Sequence, residues 1–170
     1  MKKYRYDFKK EDSFDDEILM LNEEGHVLYE LVKNKHNLGT AIIHHTIRGG
    51  LKFTYKILDI SGQIIWSLNC LFTGFCYKLS SNKMNYEVIQ KRVQLLEKKQ
   101  LFTIANQKYE FELTSKKEGR LTCNGELIAT AFDSNALQRK NQQFEIVIFA
   151  TEDKMAALMA VFFQSFYIER

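Results

Sequence analysis

The side chains able to do chemistry are few and poorly grouped. Four histidines stand at positions 26, 36, 44 and 45. His44 and His45 are neighbours in an apparent strand, so they project to opposite faces and do not converge on one metal ion. His45 shares its face with Ile43 and Ile47, the placement of a hydrogen-bonded core histidine, while His26 and His36 stand beside turn sequences without a recognisable partner. Cys70, Cys76 and Cys123 are an odd set with no paired spacing. They suggest neither a disulfide framework nor a zinc site, and read as small reduced residues in or near the core. No Gly-x-Ser-x-Gly elbow, His-Glu helix motif or acidic calcium loop occurs in the sequence. Gly49-Gly50 precedes a strand instead of a helix, which makes it a turn and not a phosphate cradle. Asp15-Asp16 and Glu23-Glu24 fall in polar, turn-like stretches, where solvation keeps both carboxylates ionised and unable to donate a proton near neutral pH. Trp66 reads as a core filler. No catalytic constellation results, and no enzymatic activity, metal or cofactor is expected.

The elements that would carry any site come from composition and pattern. With 170 residues, 45% hydrophobic and 26% charged, the chain has the makeup of one globular domain that buries roughly two-thirds of its unfolded surface. Its net charge of +3 suits a meeting with an anionic surface but falls short of a nucleic-acid signature, so nucleic acid is not expected as a partner. MKKYRYDFKK has the charge of a signal peptide, yet ILML at 18–21 is too short for the apolar region and runs into Asn22, Glu23 and Glu24. A cytoplasmic location is expected.

The sequence contains no proline, where average usage predicts about eight or nine. Glycine, asparagine, aspartate and serine clusters make the turns instead, at a spacing of about 10 to 15 residues, the rhythm of consecutive hairpins. In LKFTYKILD, Leu51, Phe53, Tyr55 and Ile57 share one face while Lys52, Thr54 and Lys56 share the other. KYEFEL places Tyr109, Phe111 and Leu113 inward and Glu110 and Glu112 outward. FEIVIF, with Glu145 its one polar residue, reads as a strand buried on both faces. Asn124-Gly125 predicts a type I′ turn. About a dozen strands fit between Tyr4 and Ala150; KRVQLLEKKQ at 91–100 fits a helix as well as a strand.

The C-terminal stretch is different. Thr151 is placed to cap a helix over about 152–168, with Glu152 and Asp153 favourably set in its first turn. From Met155 to Ile168 only Gln164 and Ser165 are neither apolar nor aromatic, so apolar side chains point in every direction and the helix must be surrounded. At 14 residues the stretch falls short of the about 20 that span a bilayer. An open sheet covers one flank only. A closed barrel of about eleven or more strands can house a helix, and the chain length suffices for about twelve.

Tyr55-Lys56-Ile57-Leu58-Asp59 with Gly62, Tyr109-Glu110-Phe111, and the helix from Ala156 to Ile168 together resemble the tubby C-terminal-like superfamily, which also includes phospholipid scramblases and LURP-one-related proteins. The resemblance spans residues 40 to 168. It implies a mainly β fold, a closed antiparallel barrel of about twelve strands around the buried helix, as a single domain over 1–170. It also implies a non-enzymatic binding or regulatory module. Tubby domains bind phosphoinositide headgroups through basic side chains on neighbouring strands. Here Lys91-Arg92, Lys98-Lys99, Lys116-Lys117 and Arg139-Lys140 are the candidates for an anionic-lipid or phosphate patch, and none of them aligns to the family's binding residues. The bland reading of the same pairs is solvated hairpin ends. The expected partner is an anionic lipid, with peripheral membrane association, or another protein, and the expected state is a monomer. Two alternatives stay open: a helix-grip carrier or enzyme for a small apolar ligand, and a homo-oligomer packed through terminal helices.

Overall fold

Alternating apolar and polar residues set the strands of this protein, and the last apolar run sets its helix. The computed structural model describes residues 1–9, 18–34, 54–70, 76–81, 84–92, 98–136 and 143–168. Twelve strands lie among them: β1 (Lys2–Lys9), β2 (Ile18–Asn22), β3 (Val27–Asn34), β4 (Thr54–Asp59), β5 (Ile64–Cys70), β6 (Cys76–Ser81), β7 (Met84–Arg92), β8 (Lys98–Ile104), β9 (Gln107–Leu113), β10 (Gly119–Cys123), β11 (Glu126–Asp133) and β12 (Gln143–Ala150). Each pairs with the next, and β12 returns to β1 to close a barrel. The closing ladder is antiparallel and runs without slip from Lys2 opposite Ala150 to Lys9 opposite Gln143.

Period-two alternation decides which side chains enter the barrel. Tyr4, Tyr6 and Phe8 of β1, Tyr55 and Ile57 of β4, and Tyr109, Phe111 and Leu113 of β9 are buried. In β12, Phe144, Ile146 and Ile148 are buried on one face and Val147 on the other, as an almost unbroken apolar run requires. Thr54 departs from the expected pattern: out of phase with Tyr55, it is nonetheless fully buried. It lies opposite Asn34, whose amide is tied to β5 through Ser67, Asn69 and the carbonyl of Leu68. Asn124 and Gly125 have φ of 50° and 88°, the left-handed pair that a type I′ turn demands. The ambiguous 91–100 stretch is strand at both ends, in β7 and β8; residues 93–97 lie outside the described residues.

The chain leaves β12 at what we call the near end of the barrel and turns inward as α1 (Asp153–Phe163), followed by a π-helical turn, Gln164–Ile168. Every residue from Ala156 to Phe166 is buried. The Phe162 ring stacks on Phe102 at 5.0 Å and lies 5.3 Å from Phe111, while Phe166 meets Tyr77 edge-on at 5.2 Å. These contacts reach β6, β8 and β9, so the helix is enclosed and the half-wrapped helix-grip architecture is not adopted. Trp66 is a core residue, as its sequence context suggests, and its indole N–H donates to the carbonyl of Lys154 at 3.2 Å.

The helix start differs from expectation. Glu152, not Thr151, is the N-cap; its backbone is extended and its side chain makes no capping bond. The Thr151 N–H donates instead to the carbonyl of Ile128 at 3.0 Å, so Thr151 still belongs to the barrel wall and the helix begins after it.

Candidate functional site

Antiparallel order sorts the hairpins between the two ends of the barrel. At the near end, where α1 begins, lie the short turns 23–26, 60–63, 105–106 and 124–125. At the far end β7 finishes with Lys91 and Arg92, β8 starts with Lys98 and Lys99, and turn 114–118 joins β9 to β10 with Lys116 and Lys117 exposed. Three of the four basic pairs singled out in the sequence therefore reach one end of the molecule. Arg139 and Lys140 lie outside the described residues, between β11, which ends at Asp133, and β12, which starts at Gln143; both of those residues are at the far end.

The pairs are not equivalent. Lys91 stands directly opposite Lys99, and Arg92 opposite Lys98. Lys99 has an internal counter-charge. Its Nζ donates to Glu110 Oε1 at 2.6 Å and lies 3.5 Å from Glu112 Oε2. The hydrogen bond to Glu110, above all, raises the ammonium pKa from its ordinary value. Lys99 is thus committed to β9. Lys116 and Lys117 are carried by a turn in which the Lys117 N–H donates to the Thr114 carbonyl at 2.9 Å and the Glu118 N–H to Thr114 Oγ1 at 3.2 Å. Lys117 sits in the left-handed region at φ 62°. The turn also holds an acid, Glu118, but Arg120 Nη2 donates to its Oε2 at 3.2 Å.

Inside the barrel a second polar set escaped the sequence reading. Tyr6 Oη donates to Gln164 Oε1 at 3.1 Å, Tyr167 Oη to Asp133 Oδ2 at 3.3 Å, and Gln100 Nε2 to Gln90 Oε1 at 3.0 Å. Burial, followed by the nearby Tyr55 and Asp133, raises the Tyr6 hydroxyl well above its ordinary value. Gln164 Nε2, Ser165 Oγ and Gln100 Oε1 are buried with no hydrogen-bond partner among the described residues. The signal for this set was present in Gln164 and Ser165, the two polar residues of the apolar run. Its location was not, since the partners come from β1, β7, β8 and β11.

Of the remaining chemistry, Cys70 is pushed up to about 12 by burial, so it is a neutral thiol near pH 7. Cys70 and Cys123 are free. His26 is exposed, with Nδ1 3.2 Å from Glu24 Oε2; His36, His44 and His45, like Asp15 and Asp16, lie outside the described residues. Glu23 is exposed and its Oε1 accepts the Lys3 N–H at 3.0 Å. Among the described residues no cluster of three His, Cys, Asp or Glu side chains is placed to hold a metal ion. Among them, too, no helix is long and apolar enough to cross a membrane.

No curated protein and no solved structure matches the chain significantly. A match to the family described as Tubby C-terminal like domain covers residues 4–169, nearly the whole barrel with its central helix. By that match and by its twelve-stranded architecture, the chain belongs to the tubby C-terminal-like domain family.

Proposed function

We propose that this protein is a non-enzymatic binding module whose far end engages an anionic membrane surface. The observation that supports it is the placement of Lys91-Arg92, Lys98 and the exposed Lys116-Lys117 turn at one end of a closed barrel. Basic residues near an anionic bilayer contribute about 1 kcal/mol each, enough for reversible, salt-sensitive attachment and too little for permanent anchoring. Lys99 contributes least, because Glu110 and Glu112 already neutralise it.

Flotation with phosphatidylserine-containing and pure phosphatidylcholine vesicles tests it. The protein should float with the anionic vesicles in low salt, and should be released in high salt as screening lengths contract to a few ångströms. Lys116→Glu with Lys117→Glu should weaken the association at least tenfold, as two reversed charges predict. Absence of flotation in low salt would remove the membrane reading.

A further inference from the structure

We draw no further inference here: the strongest candidate, the polar side-chain set buried inside the barrel at Gln164, Ser165 and Gln100, carries nothing, because Gln164 is bonded to Tyr6 of β1 and Gln100 of β8 to Gln90 of β7, walls that do not adjoin, and nothing among the described residues shows a cavity that brings them onto one ligand.

Discussion

Asp153 is the residue at which the helix is tied to the barrel wall. Tyr4 Oη donates to its Oδ1 at 2.7 Å and Lys2 Nζ at 3.2 Å. The Tyr4 bond first, then Lys2, holds the carboxyl below the ordinary value of 3.8. A carboxylate whose folded pKa is depressed contributes stability that is present above its unfolded pKa and is lost as pH falls through the folded one. Tyr4→Phe is therefore expected to cost about 1 kcal/mol at neutral pH, the value of a charge-assisted hydrogen bond reduced for solvent screening, since the Asp153 side chain is 45% exposed. The difference between parent and variant should shrink in acid below pH 3.8. Urea titrations at neutral and acid pH measure both, and an unchanged gap would show that the hydroxyl acts through packing and not through the ionised carboxylate. At this scale the sequence was only partly readable. The basic pairs and the outward phase of Glu110 and Glu112 follow from local pattern. That Lys99 falls between those two acids does not, because the β8–β9 register that sets Lys99 opposite Glu112 depends on the length and type of a turn at Ala105-Asn106 with no strong sequence signal.

The helix and the wall approach closely at Gly119, the first residue of β10. A Cβ there would lie 2.6 Å from Cδ2 of Phe163, so the missing side chain is the space that the helix ring occupies. The fully buried ring also stacks on Tyr167 at 4.7 Å, which limits its freedom to retreat. Gly119→Ala is expected to lower stability by about 1–3 kcal/mol, the usual cost of overfilling a packed core, and thermal melts would read it directly. Pairing it with Phe163→Leu should recover part of that loss relative to the sum of the single changes; strict additivity would place the strain elsewhere. The two kinds of element were legible for the same reason: period-two alternation and an apolar run without a polar flank are local properties of the chain. The N-cap was misjudged by one residue because the ladder to Ile128 claims Thr151, a long-range bond that outranks a local capping preference.

On the scale of the molecule, barrel and helix depend on each other. The wall closes by pairing β1 with β12, the two ends of the strand order, so no closed barrel exists until nearly the whole chain is available, and the helix that fills it follows last. Leu158, Met159, Val161, Phe162, Phe163 and Phe166 are all buried inside, and each large apolar side chain withdrawn from water contributes roughly 1.5–3 kcal/mol. Even discounted for a compact unfolded state, their sum is comparable to the about 5–15 kcal/mol by which a whole domain is stable. Without the helix, the inward faces of Phe102, Phe111 and Tyr77 would also line an empty or wet interior. A chain ending at Ala150 is therefore expected to keep strand content but to lose its near-ultraviolet dichroism, to bind a hydrophobic dye and to melt without a cooperative transition. Phe162→Ala, which leaves the helix in place, should cost about 3–5 kcal/mol and still melt cooperatively. If the shortened chain unfolds in one sharp step near the parent's temperature, the strands carry their own core and the helix is a passenger. The same result would also undo the explanation for its all-apolar surface, since a filler that the wall does not need has no reason to lack a polar side.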